Sequence, residues 1–207
     1  MELTSETLEK QKIALENLER SEQEARRLED ALNREHGVQD PNVKHFEKDG
    51  LSFDYPANWQ ISDQSTNQMQ FLELSQGDVV IRVRSPREWL KTPDKEAHAK
   101  KLFQDQYVDN FATQFEQQGL KPLRSPITTQ LGGGDAEGVR LRVVMDRQPG
   151  GLDSYYRVIS DRLVHLSILG SERDIAKDGP AWDVIRNSLK VEPPPQPKAS
   201  PSPKGKP

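Results

Sequence analysis

The glycine run Gly132-Gly133-Gly134, followed by Gly138, is the part of this chain that comes closest to a chemical motif. A phosphate-binding loop needs glycines at fixed spacing where a strand leads into a helix, and a P-loop adds a Lys-Ser or Lys-Thr pair. No such pair follows here, and both flanks have the residue pattern of strands. The run is therefore predicted to be a β-hairpin turn.

Four histidines could supply metal ligands or a general base: His36, His45, His98 and His165. No two are spaced as in His-x-x-x-His, so no metal site can be recognised, although any two could meet in space. His165 lies among apolar residues of a predicted strand and is interpreted as an outward-facing or hydrogen-bonded residue. The sequence predicts no metal and no other cofactor.

Hydroxyl and carboxyl side chains are the remaining candidates for catalysis. Ser154, Ser160 and Ser167 occur without the sequence of a nucleophile elbow. Asp153 and Asp161 flank predicted turns, where aspartate is favoured because its side chain bonds to the nearby backbone. We predict no catalytic residue, which favours a protein that is not an enzyme.

Composition excludes several kinds of site and ligand. The 207 residues contain no cysteine, so disulfides, thiolate metal sites and thiol nucleophiles are excluded. The net charge is −4 and no basic face is indicated, so nucleic acid is not expected as a ligand. No signal peptide, lipobox cysteine or membrane-spanning apolar run is found, which favours a cytoplasmic location while the compartment stays open.

Residues 6–36 contain no proline or glycine and are rich in glutamate, arginine, leucine and alanine. Apolar residues recur at spacings of three, four and seven, which predicts a long charged helix that ends at Gly37. The apolar stripe is thin, because Glu22 stands where a coiled-coil seam needs an apolar residue. Residues 1–41 are thus predicted to form a long N-terminal helix and a linker.

This stripe provides the predicted partner-binding residues, Leu15, Leu18, Leu28 and Leu32. We expect them to contact another protein. Self-association through this helix, with a second copy of the chain as the partner, is also possible. The alternative is that the helix packs its stripe on its own domain or projects into solvent.

Residues 42–191 have the pattern of a strand-rich domain. Leu51, Phe53 and Tyr55 alternate as in a half-buried strand, Pro56 ends it, and a second strand begins at Trp59. Later apolar runs predict further strands, at residues 69–74, 79–83, 127–131, 136–145, 152–159 and 163–169. The last four are separated by short turns, which predicts an antiparallel meander.

Two helices are predicted within this domain. The first begins near Thr92-Pro93-Asp94, and the second spans residues 180–189 with proline at its first position. The first carries an aromatic residue at every fourth position: Phe103, Tyr107, Phe111 and Phe115. This stripe is interpreted as the face that packs on the sheet.

The opening of the domain, Gly-Leu-Ser-Phe-Asp-Tyr-Pro-Ala-Asn-Trp from Gly50 to Trp59, and its closing run from Ala181 to Lys190 resemble the PsbP-like family and its Mog-type relatives. The resemblance implies a central antiparallel sheet sandwiched by helices, used mostly by non-enzymatic proteins that include photosystem extrinsic subunits. The predicted fold class is therefore α+β: a central antiparallel β-sheet flanked by helices, preceded by a long N-terminal helix.

Residues 192–207 are rich in proline and lysine and cannot form a core, which predicts a disordered tail that acts as a spacer or a weak docking segment.

The predicted function is a non-catalytic protein-binding or assembly module, an accessory subunit of a larger complex docked through the N-terminal helix. One alternative is an extrinsic subunit of a membrane complex, photosynthetic or otherwise, with peripheral membrane association. The other is an enzyme or small-ligand protein whose pocket cannot be recognised in the sequence.

Overall fold

A computed structural model of the chain describes residues 42–145 and 148–193. The predicted N-terminal helix, with the partner-binding residues Leu15, Leu18, Leu28 and Leu32, lies outside the described residues. So does the tail from residue 194 onwards. The role of these leucines and the disorder of the tail therefore stay predictions.

The described residues contain two antiparallel sheets and a set of helical segments. The strands are β1 (Val43–Lys48), β2 (Leu51–Pro56), β3 (Gln60–Asp63), β4 (Met69–Gln76), β5 (Val79–Pro86), β6 (Leu123–Leu131), β7 (Gly134–Met145), β8 (Gln148–Ile159), β9 (Arg162–Ser171) and β10 (Lys190–Val191). The helical segments are α1 (Lys95–Phe103), a π-helical turn (Gln104–Val108), α2 (Asp109–Gln117), α3 (Glu172–Lys177) and α4 (Gly179–Ser188).

The larger sheet has seven strands in the order β3-β4-β5-β9-β8-β7-β6, and the smaller has three in the order β1-β2-β10. Strands β6 to β9 follow one another as an antiparallel meander, which confirms the prediction from the turn residues. The predicted glycine turn at Gly132-Gly133 joins β6 to β7, with both glycines at positive φ.

The predicted fold class is wrong in its architecture. The sequence predicted one central sheet flanked by helices, whereas strands make up 51% of the described residues, helices 26%, and the strands form two sheets. No long N-terminal helix is among the described residues. The helical part is dominated by one helix of 23 residues, formed by α1, the π-helical turn and α2.

Pro56 lies where the chain passes from the smaller sheet to the larger sheet. The strand before it, β2, pairs with β1 and β10, whereas the strand after it, β3, pairs with β4 in the larger sheet. Proline has no backbone N–H, so it cannot continue a ladder, and the chain turns where the Trp59 N–H donates to the Pro56 carbonyl at 3.1 Å. The two strands on either side of this turn therefore belong to different sheets.

Two clusters of buried side chains lie on opposite faces of the larger sheet. One joins that sheet to β2, β10 and α4, and it contains Phe53, Trp59 and Ile185. The other joins it to the 23-residue helix. The aromatic stripe of that helix is buried against the sheet, which confirms the prediction for Phe103, Tyr107, Phe111 and Phe115.

Asp178, at the junction of α3 and α4, is a buried carboxyl group with 8% exposure. It begins α4, but its side chain makes no capping hydrogen bond. Burial raises the pKa of Asp178 from 3.8 to about 6, and the neighbouring Asp174 adds to this while Lys177 opposes it. Between these two values the folded protein holds a proton that the unfolded chain has released, so stability falls as the pH rises through this window.

We expect Asp178→Asn to stabilise the protein at neutral pH, because asparagine has the same shape without the buried charge. Relative to wild type, the gain in unfolding free energy should be about 2 kcal/mol larger at pH 7.5 than at pH 4.5. Urea denaturation of both proteins across this range measures the difference. A gain that does not change with pH would show that the Asp178 carboxyl group has an ordinary pKa.

Candidate protein-binding surface

The arrangement closest to catalytic machinery is a buried serine and histidine pair. Ser154 on β8 and His165 on β9 are both 0% exposed, and Ser154 Oγ lies 2.6 Å from His165 Nε2. The imidazole ring stacks on the ring of Tyr107, with centroids 4.2 Å apart and planes 4° from parallel. Phe103 packs on the same imidazole at a centroid distance of 5.7 Å. The pair is thus enclosed between the sheet and the 23-residue helix.

The electrostatics of this pair favour a structural role. Burial, with Arg84 and Arg82 nearby, holds the pKa of His165 well below its usual value, so the imidazole is neutral. A nucleophilic dyad needs a third group that orients the histidine and a path for substrate. Among the described residues His165 Nδ1 has no hydrogen-bond partner, and both side chains are closed to solvent. The hydrogen bond therefore anchors β8 to β9 beneath the helix.

Sequence reasoning considered Ser154 and His165 separately and did not bring them together. The signal that could have paired them is the register of the β8–β9 hairpin around the turn at Ser160 and Asp161. In that register Tyr156 lies opposite His165, and Ser154, two residues before Tyr156, shares its sheet face. A hairpin centred on the predicted turn was sufficient to place the two side chains together.

The other predicted candidates are not brought into a common site. His45 lies 2.6 Å from Asp54 on the exposed side of the smaller sheet, and this hydrogen bond raises the pKa of His45. His98 is exposed on α1, and His36 lies outside the described residues. No group of three or more histidine, aspartate or glutamate side chains in residues 42–145 and 148–193 could hold a metal ion.

An exposed apolar patch lies where β6, β7 and β8 end. Leu123 on β6 is 75% exposed and Val144 on β7 is 65% exposed. Leu123 lies opposite Arg142, two residues before Val144, and Val144 lies opposite the exposed Pro149 on β8. Residues directly opposite in a ladder, and residues two apart on one strand, share a sheet face. The three apolar side chains are therefore neighbours on the face of the larger sheet that points away from the 23-residue helix.

Two arginines on the same face border this patch and are held in place by acids. Asp153 is buried, and it accepts hydrogen bonds from Arg140 Nε at 2.9 Å, Arg140 Nη2 at 2.7 Å and Arg142 Nη1 at 2.8 Å. Arg142 Nε also donates to Glu172 on α3 at 2.9 Å. Such multiple charge-assisted bonds fix the guanidinium groups, so little rotamer entropy is lost when a partner binds them. We call Leu123, Val144, Pro149, Arg140 and Arg142 the strand-end surface.

Two clefts flank the 23-residue helix. One, of about 440 Å³, lies between the π-helical turn and β6, where Arg124 donates to Asp109 at 2.6 Å. The other, of about 480 Å³, lies between α2 and the ends of β5 and β9, with Phe111, Phe115 and Leu169 among its lining residues. In neither cleft do nucleophile, base and oxyanion donors converge as an enzyme site requires.

Comparison with known proteins identifies the fold. No protein family and no curated protein matches the chain. Among solved structures, the chain is similar to cyanobacterial PsbP (CyanoP) from Synechocystis sp. PCC 6803, with 12% identity and a TM-score of 0.50, over 75% of this chain and 94% of that chain. The fold is PsbP-like. At this identity the likeness shows the fold alone.

A second similar structure is the protein of unknown function PA94 from Pseudomonas aeruginosa. It has 15% identity and a TM-score of 0.34, over 69% of this chain and 92% of that chain, and that score is too low to show a shared fold. The resemblance to the PsbP-like family is thus supported at the level of fold, whereas the Mog-type relationship is not supported. None of the helices described for this PsbP-like domain is long and apolar enough to cross a membrane.

Proposed function

We propose that the chain is a non-catalytic protein-binding module, an accessory subunit of a larger complex, whose PsbP-like domain binds its partner through the strand-end surface. The observation that carries this proposal is the exposure of Leu123 and Val144, which are diagonal neighbours on one sheet face. Isolated exposed apolar residues are common, but a cluster bordered by fixed arginines has the composition of a protein interface.

The buried serine and histidine pair supports a non-catalytic role. An enzyme that used Ser154 and His165 would need to open the helix away from the sheet to admit a substrate, and this would expose the aromatic stripe. The PsbP-like fold supports the same interpretation, since the family it resembles is mostly non-enzymatic. An extrinsic subunit of a membrane complex, photosynthetic or otherwise, is the second candidate, and the likeness to cyanobacterial PsbP favours it.

We expect the double variant Leu123→Asp/Val144→Asp to lose its partner, because contact would bury two carboxylates where the partner meets apolar side chains, and taking charges out of water is costly. The variant and the wild-type chain are each used as bait in cells of the organism from which the protein comes. The captured proteins are quantified by mass spectrometry. Recovery of the wild-type partner should fall at least about tenfold, which corresponds to about 1.4 kcal/mol. The melting temperature should stay within a few degrees, because both side chains are already exposed.

Val43→Asp is the matched control, because Val43 is 53% exposed but lies on β1 in the smaller sheet. It should capture the partner as the wild type does. A second variant, Leu18→Glu/Leu28→Glu, tests the predicted partner-binding leucines in the same experiment. If only this second variant loses the partner, recognition lies in residues 1–41 and the strand-end surface is not the site. Size-exclusion chromatography of the same variants tells whether the partner is a second copy.

A further inference from the structure

Arg84 on β5 is a half-buried cation that is paired with no acid in the part of the chain that the structure describes. Its guanidinium carbon lies 4.4 Å from the centroid of the Phe71 ring and 5.3 Å from that of Tyr107. Both rings cover it by cation–π contact. Within residues 42–145 and 148–193 it makes no hydrogen bond or ion pair. An arginine has five N–H donors, so these donors are left for solvent or a ligand.

Among the described neighbours of Arg84, no acid forms an ion pair with it. Arg82, two residues earlier on the same sheet face, donates from Nε to Glu73 Oε2 at 2.9 Å, so this pair is neutral. The residues directly opposite Arg84 are Phe71 on β4 and the neutral His165 on β9. Burial and then the charge of Arg82 lower the pKa of Arg84, and the opposing effects of Tyr107 and Glu73 do not cancel this. The surroundings therefore disfavour its charge, and an anion would relieve that cost.

We propose that Arg84 is the anchor of a binding site for a single carboxylate group. A guanidinium is planar and presents its N–H donors as a fork, which matches the two oxygens of a carboxylate, and the two rings hold this group by cation–π contact. A carboxylate brings one negative charge, which a single arginine can balance, whereas a phosphate dianion needs a second cation, and the neighbouring Arg82 is already paired with Glu73. This site lies on the helix-facing side of β5, so it is separate from the strand-end surface and does not depend on it.

The rim of the site restricts what carries the carboxylate. The Phe71 ring lies against the guanidinium, and Met69, two residues earlier on the same sheet face, accepts a contact from the Tyr107 hydroxyl at 3.8 Å from Sδ, so the rim is apolar. A carboxylate on a short aliphatic chain fits such a rim. A glutamate side chain of a peptide and a small free acid both have this chemistry.

Arginine side-chain NMR tests the site directly, because each Nε–Hε group gives its own signal. The labelled chain is titrated at constant ionic strength with three probes: butyrate, an acetylated alanine peptide with one central glutamate, and inorganic phosphate. We expect the Arg84 signal to move saturably with both carboxylates, and phosphate to bind at least about tenfold more weakly than butyrate. A peptide that binds more tightly than butyrate would identify a protein side chain as the source, and equal binding would identify a free acid.

Two variants and a control keep the test independent of folding. Arg84→Gln should abolish the shift that the Tyr107 ring signals show with butyrate. Arg84→Lys keeps the charge but loses the planar fork, so binding should weaken about tenfold. Lys44→Gln removes one exposed charge on β1 and should change nothing. The proposal is overturned if the Arg84 signal does not respond to either carboxylate, or if Arg84→Gln or Arg84→Lys binds butyrate as the wild type does.

Discussion

Gly151→Ala is expected to lower the unfolding free energy by at least about 3 kcal/mol. Gly151 lies on β8 with a φ of 154°, where a side chain is strained. A Cβ atom at this position would lie 1.9 Å from the carbonyl oxygen of Leu141 and 3.1 Å from the Cα of Arg142. Both neighbours are backbone atoms of β7, so rotation of a side chain cannot relieve the clash.

Gly133→Ala is the matched control for this substitution. Gly133 also has a positive φ, at 78°, but a Cβ atom there would meet nothing within 4 Å. Its cost should be only the conformational strain, about 1–2 kcal/mol. Urea denaturation compares the two variants with the wild type. Equal costs would contradict the β7–β8 register that places Val144 opposite Pro149, and with it the strand-end surface.

Trp59→Ala is expected to lower the unfolding free energy by about 3–5 kcal/mol. Trp59 is 4% exposed and belongs to the cluster that joins β2 of the smaller sheet to the larger sheet. It follows the turn at Pro56, so its side chain packs where the chain passes from one sheet to the other. The loss combines the transfer of a large aromatic group to water with the cavity left behind.

Gln60→Ala, at the exposed next residue, is the control and should change the unfolding free energy by less than about 0.5 kcal/mol. Calorimetry or chemical denaturation gives both values. A loss below about 1 kcal/mol for Trp59→Ala would mean that the side chain is exposed in solution. The two sheets would then be held together elsewhere.

The parts of the fold that could be predicted from the sequence are those set by local patterns. The β6–β9 meander follows from alternating runs separated by short turns. The buried face of the long helix follows from Phe103 and the aromatic residues at every fourth position after it. In both cases the residues that decide the structure are close in sequence.

The two-sheet architecture depends on contacts between distant residues. The smaller sheet pairs Leu51 on β2 with Val191 on β10, and no local pattern indicates that pairing. Strand β1 is polar and exposed over most of its length, so it lacks the alternation that marks a half-buried strand. The sequence therefore predicted only one sheet.

The candidate site could not be predicted for a related reason. Val144 belongs to an apolar run that has the pattern of a buried strand, and Leu123 lies four residues before the run predicted at 127–131. Their exposure depends on where the helices cover the sheet, which is a property of the tertiary structure. The serine and histidine pair was likewise visible only through the hairpin register, although each residue was noticed by itself.

Methyl cross-saturation NMR of the complex tests the central claim most directly, because it reports which methyl groups touch the partner. With the partner irradiated, we expect the methyl signals of Leu123 and Val144 to lose intensity while that of Val43 does not. Saturation confined to Leu15, Leu18, Leu28 and Leu32, or to other methyl groups away from the strand ends, would contradict the assignment of the strand-end surface as the binding site.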